Sequence, residues 1–211
     1  MYFFLLSNIP LHILLPCLKI NILRLCNTNL KSAMNILIGI TSSIAAYRLP
    51  NLISQLSKQG HTIKTIVSEH AKAFVAPQAL AVMSKNPCYT DMEEWKNTQQ
   101  VLHIELAKWC DVFLIAPLTA NTLAKIASGL CDNLLTSTVR ALGNKPLLLA
   151  PAMNTAMWEN SLTARHIRQT AKIYEVTLIQ PVSKKLADGD EGMGGLAEDE
   201  TILHTLNNLK S

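Results

Sequence analysis

From Met34 onward the chain alternates short apolar runs with longer amphipathic stretches, and this alternation constrains its fold more than any other feature. The runs are NILIG (35–39), TIKTIVS (62–68), DVFLIAP (111–117), PLLLAP (146–151) and VTLIQ (176–180). They are continuous rather than alternating apolar and polar, so each reads as a strand covered on both faces, as in a parallel sheet wound on both sides by helices. Between the runs the pattern predicts helices to about Gln59, over 70–83, in a region from about 119 to 142, over 155–172 and after Asp199. The expected architecture is α/β, a doubly wound parallel sheet of five strands.

Ligands of such sheets bind beyond the carboxyl ends of the strands. That rule singles out residues 39–45, 68–70, 117–123 and 151–158. In the first segment Gly39 suits a tight turn, and Thr41, Ser42 and Ser43 offer hydroxyls at a helix start, where backbone N–H groups and the helix dipole favour a phosphate. The segment is neither GxGxxG nor a Walker loop with its lysine, so the dinucleotide and nucleoside-triphosphate fingerprints are missing. Simple capping by Ser or Thr is the alternative reading. In the third segment Thr119, Asn121 and Thr122 offer uncharged donors and acceptors that suit a neutral polar heterocycle, or a cap. In the fourth, Asn154 can donate its amide to a carboxylate beside the soft apolar surface of Met153 and Trp158, or cap the next helix.

His103 lies on a predicted helix leading straight into DVFLIAP, with Glu105 two residues on and therefore off its face. It is the candidate base, set against an ordinary structural role. His61, His70, His166 and His204 read as surface residues. The glycine- and acid-rich stretch 184–198 reads as a loop able to close over a ligand; calcium binding is disfavoured because the twelve-residue EF-hand pattern is missing.

Charge and cysteine usage narrow the function classes. The 211 residues carry 19 Lys and Arg against 15 Asp and Glu, but Lys19, Arg24 and Lys31 fall in an acid-free stretch before Met34. The remainder is nearly neutral, which excludes the electrostatic footprint of a nucleic-acid binder. The apolar run 2–17 is too short to span a bilayer and is interrupted by Pro10 and Pro16, so no stable membrane insertion is expected. Residues 1–33 read as an N-terminal extension upstream of the native protein, an organellar or membrane-associated leader being the alternative, and 34–211 as the folded domain, with Met34 the expected biological start. Five cysteines without CxxC spacing suggest neither a zinc site nor a disulfide framework, and point to a reducing cytoplasm.

In this order, SSIAAYR, HIELAKWCD, APLTANTLAKIASGLCDNLLT, PAMNTAMW and LADGDEGMGG resemble the homo-oligomeric flavin-containing cysteine decarboxylases, over essentially all of residues 34–211. The resemblance is nearest to the members acting on 4'-phosphopantothenoylcysteine in coenzyme A biosynthesis. It implies a three-layer, flavodoxin-like Rossmann fold that binds FMN at subunit contacts of homotrimers, in some members assembled into dodecamers. By position, Ser42, Ser43, Ile44, Ser68, Ala120, Asn121, Thr122, Leu123 and Met153 would contact FMN, His103 would be the catalytic base, and Asn154 would hold the substrate carboxylate. Lys185, Leu186 and Ala187 would belong to a flap over the substrate.

The implied chemistry oxidises the cysteinyl thiol to a thioaldehyde, an electron sink that lets carbon dioxide leave and gives an enethiolate. Full synthesis of 4'-phosphopantetheine then needs hydride return and a proton from a flap cysteine. Where the family reads LACGD this chain reads LADGD, placing Asp188 at that position. A carboxyl titrating near ~4 is ionised at neutral pH, whereas a thiol near ~8.5 keeps its proton. Three alternatives are therefore open: burial raises the Asp188 pKa so that it donates, the reaction stops at the enethiol as in peptidyl-cysteine decarboxylases, or the protein binds FMN without the full reaction, as a regulatory flavoprotein does.

Overall fold

A computed structural model describes residues 33–96, 100–185 and 191–209. The expected extension before Met34 and the flap residues Leu186, Ala187 and Asp188 lie outside the described residues.

All five apolar runs form strands: β1 (Asn35–Ile40), β2 (Thr62–Val67), β4 (Val112–Leu118), β5 (Leu147–Pro151) and β6 (Val176–Leu178), with a two-residue strand β3 (Cys88–Tyr89) added at one edge. Every pairing is parallel, in the order β3-β2-β1-β4-β5-β6. Without the edge strand this is the doubly wound order of flavodoxin-like folds, with its switch point between β1 and β4. The β3 pair was not legible in the sequence because two residues leave no periodicity.

Both faces of the sheet are dry, as the continuous apolar runs require. Ile36, Ile38, Ile40, Leu114 and Leu148 face one layer, where α1 (Leu49–Lys58) inserts Leu49, Leu52, Ile53 and Leu56 at helical spacing. Leu37, Phe113, Ile115, Leu147 and Leu149 face the other. There they meet Leu106, Leu123, Ile126, Leu134, Leu135 and Val139 from the helices of that layer. Gly39 is not a turn residue. It sits inside β1, where a Cβ would come 2.9 Å from the Leu135 side chain and 3.1 Å from that of Phe113, so its role is to admit close packing.

Three expected helices are each divided by their own chemistry. The 70–83 stretch becomes a short 3-10 turn (Glu69–Ala73) and α2 (Pro77–Ser84), because Pro77 fits only the first turn of a helix. Two short helices follow, α3 (Asp91–Glu94) and α4 (Leu102–Trp109). The 119–142 region becomes α5 (Ala120–Ser128) and α6 (Leu134–Arg140), parted by Gly129 at φ 72°. The 155–172 stretch becomes α7 (Thr155–Glu159) and α8 (Ser161–Ala171), because Asn160 turns out of the helix and caps Leu162 N at 2.9 Å. The chain closes with α9 (Asp199–Asn207) on the α1 side.

The glycine-rich stretch is a β-hairpin rather than a plain loop: β7 (Val182–Lys185) pairs antiparallel with β8 (Glu191–Gly195). His61 is likewise not a surface residue; it is buried, and its Nδ1 accepts the Met34 N–H at 3.2 Å.

Candidate active site

The four expected ligand segments do gather at the carboxyl ends of β1, β2, β4 and β5, and the first is locked to the third. Thr41 is almost wholly buried; its hydroxyl donates to Pro117 O at 2.7 Å and accepts from Thr119 N at 3.0 Å. This corrects the expectation that Thr41 is a phosphate donor, since its hydroxyl closes the switch point instead. Ser42 and Ile44 are exposed, whereas Ser43 caps the 3-10 turn Ile44–Arg48 through Ala45 N. Arg48, the cation of this loop, points away. It donates to Leu196 O and Ala197 O, both at 3.0 Å, and to Asp199 Oδ1 at 2.6 Å.

Ser68 begins the turn after β2 without using its hydroxyl as a cap. After β4, Thr119 caps α5 through Thr122 N, Ala120 is half-buried and Asn121 is exposed. The Leu123 side chain is fully buried in the core and its N–H is bonded to Thr119 O.

After β5, Asn154 caps α7 by accepting from Ala156 N at 2.8 Å, which fixes its amide at the strand-to-helix turn. Met153, half-buried, donates its N–H to Gly194 O at 2.9 Å, tying this turn to the hairpin. The hairpin lies so close that a Cβ on Gly194, at φ 142°, would stand 2.1 Å from Met153 O. Lys185 ends β7, paired in register with Glu191 of β8. Among the described residues, Thr155 Oγ1 is buried beside Gly192 with no hydrogen-bond partner.

His103 occupies the second position of α4, and its ring Nδ1 pairs with Glu94 Oε1 of α3. The same carboxylate accepts the His103 backbone N–H through Oε2 at 3.2 Å. Glu94, nine residues upstream and on another helix, was missed by sequence reasoning, which searched the face of His103's own helix. A signal was present: Val101 precedes α4 and has no side chain that can cap it, so another group had to.

These positions fit a flavin mononucleotide in kind. Hydroxyl and backbone donors stand at the strand ends for a phosphate, and Ile44, 53% exposed, offers apolar surface beside them for a ring.

Residues 26–211 match the Flavoprotein family model. The chain belongs to the Flavoprotein family. Among its relatives, the phosphopantothenoylcysteine decarboxylase of Mus musculus is 48% identical over 174 residues, covering 80% of this chain and 83% of that protein. Among solved structures, a cysteine-to-serine mutant of PPC decarboxylase complexed with pantothenoylaminoethenethiol superposes with a TM-score of 0.77 at 42% identity, covering 83% of this chain and 97% of that one. The FMN binding protein AtHal3 gives 0.74 at 41% identity, covering 83% and 95%.

Proposed function

We propose that the chain is an FMN-dependent phosphopantothenoylcysteine decarboxylase of coenzyme A biosynthesis, converting 4'-phosphopantothenoylcysteine to 4'-phosphopantetheine. The observation that carries this reading is a histidine backed by a half-buried carboxylate together with a Met153–Asn154 turn clasped by a hairpin, in a chain nearly half identical to a protein of that name. FMN, when bound, supplies the two-electron acceptor that turns the substrate thiol into a thioaldehyde.

The residues of the chain do the rest. Ser42, Ser43, Ser68 and the Ala120–Thr122 start of α5 hold the phosphate and polar edge of the cofactor, and Ile44 and Met153 line its apolar part. His103 takes the proton released as the thiol is oxidised. Asn154, its amide fixed by capping, orients the substrate carboxylate, and the hairpin with Lys185, Leu186 and Ala187 excludes water. Asp188 is the proton donor of the reductive half.

The functional unit is a homotrimer, or a dodecamer built of four such trimers. Ile44, Met157 and Met193 are large apolar side chains left exposed on the single chain, which supports their burial by a second copy. No described helix is long and apolar enough to cross a membrane. The thiols of Cys88, Cys110 and Cys131 are all free, which supports a reducing, cytoplasmic compartment.

The test is anaerobic incubation of the yellow holoprotein with 4'-phosphopantothenoylcysteine and weighing of the product. Loss of carbon dioxide alone is expected from the wild type; loss of carbon dioxide and two hydrogens is expected from Asp188→Asn. Unchanged substrate would overturn the decarboxylase reading, and an unaltered product from Asp188→Asn would remove Asp188 from its role.

A further inference from the structure

We propose that Glu94 is the positioning residue of the His103 base, fixing the neutral imidazole with its proton on Nδ1 so that Nε2 is the atom that takes up the proton. This inference rests on the decarboxylase reading for its kinetic consequence, but its geometry stands on the chain alone.

The carboxylate of Glu94 grips His103 twice, through the backbone N–H and through ring Nδ1. The backbone bond satisfies a helix-start donor that Val101 cannot cap, so removing Glu94 would orphan it as well as free the ring. Holding residue and ring through one planar group leaves the imidazole little freedom about either side-chain torsion. An ionised carboxylate only accepts, so the nitrogen facing it must carry hydrogen, and the lone pair of the neutral ring then resides on Nε2. Proton uptake at Nε2 converts the ring to imidazolium without breaking the Nδ1 bond. Glu94 does not itself lose or gain the proton in this step.

The holder of the ring is itself held. Its side chain is only 9% exposed. Helix α3 starts with a capping box in which Thr90 and Glu93 satisfy each other's backbone N–H groups, and Asp91 Oδ1 accepts Leu134 N at 2.9 Å, pinning α3 to the start of α6. At the far end of α4, Lys145 Nζ donates to the carbonyls of Ala107, Lys108 and Cys110 at 2.8, 2.6 and 2.7 Å. The helix that carries His103 is thus fixed at both ends by side chains from elsewhere, as a base needing a set direction requires.

The experiment uses the full chain with FMN bound and histidine rings labelled with nitrogen-15, the His103 signals being those lost in His103→Asn. At a pH where the ring is neutral, the wild type is expected to show a protonated Nδ1 and a bare Nε2. In Glu94→Ala the tautomer is expected to move toward protonated Nε2, and kcat to fall about 10- to 100-fold with KM changed by less than about threefold. Glu94→Gln, whose single carbonyl oxygen can stand in for one of the two accepting oxygens, is expected to recover part of the rate. A wild type with bare Nδ1, or a folded yellow Glu94→Ala protein with wild-type kcat, would overturn the proposal. If Glu94→Ala fails to fold, the wild-type ring spectrum alone decides. A wild type that releases no carbon dioxide would remove the decarboxylase reading while leaving that spectrum to settle the role of Glu94.

Discussion

At the residue scale the clearest case is Arg48, the cation that closes the segment suited to a phosphate and that the sequence reading gave no role. Its guanidinium instead binds two carbonyls and the Asp199 carboxylate, with the two side chains 13% and 14% exposed. Arg48→Ala would strand Asp199 in a poorly hydrated place, and we expect a loss of about 3 kcal/mol of stability, read from the urea midpoint. A matched Arg48→Met, Asp199→Leu pair should recover most of it, because the cost lies in the unpaired charge. Glu93 provides a pH dependence. Burial alone would raise its pKa, but hydrogen bonds from the Thr90 hydroxyl, Lys96 and the Thr90 backbone outweigh this and bring it to about 2 from 4.5. Because the folded-state value is depressed, the capping box stabilises the fold fully above about pH 4.5, and this contribution fades as pH falls toward 2. Stability measured across that window should decline less steeply in Glu93→Gln than in the wild type.

At the element scale the hairpin decides whether the site can be completed. β8 reaches the turn after β5 only because Gly194 adopts φ 142° against Met153 O, a conformation and a distance that no side chain tolerates. We expect Gly194→Ala to leave the sheet intact while the hairpin loses hydrogen-exchange protection and decarboxylation falls at least about tenfold; unchanged protection at 191–195 would show that the backbone can shift around a methyl group. The sequence offered the glycines but not their pairing. A run of Gly, Asp and Glu carries no strand periodicity, and β8 exists because an antiparallel partner and the Met153 turn lie beside it. The opposite holds for β4 and β5, whose unbroken apolar runs left them no stable place except the centre of the sheet.

At the scale of the whole molecule, the expected assembly is an arrangement of identical chains in threes. Sedimentation of the holoprotein should give a species three or twelve times the chain mass, and Ile44→Glu should shift it toward smaller species with loss of bound FMN. A stable wild-type monomer that retains the flavin and decarboxylates would dismiss the trimer. Sequence alone determined the layering, because five continuous apolar runs alternating with amphipathic helices can be buried only in a parallel sheet covered on both sides. It also singled out the segments after those strands, because helices begin at the strands' carboxyl ends. Only the tertiary structure decided which polar groups are left for a ligand. Thr41 and Arg48 are consumed in holding loops together, Leu123 turns into the core, and Glu94 arrives behind His103 from another helix. Partners of this kind are set by packing between segments distant in sequence or on separate helices, and no local spacing encodes them.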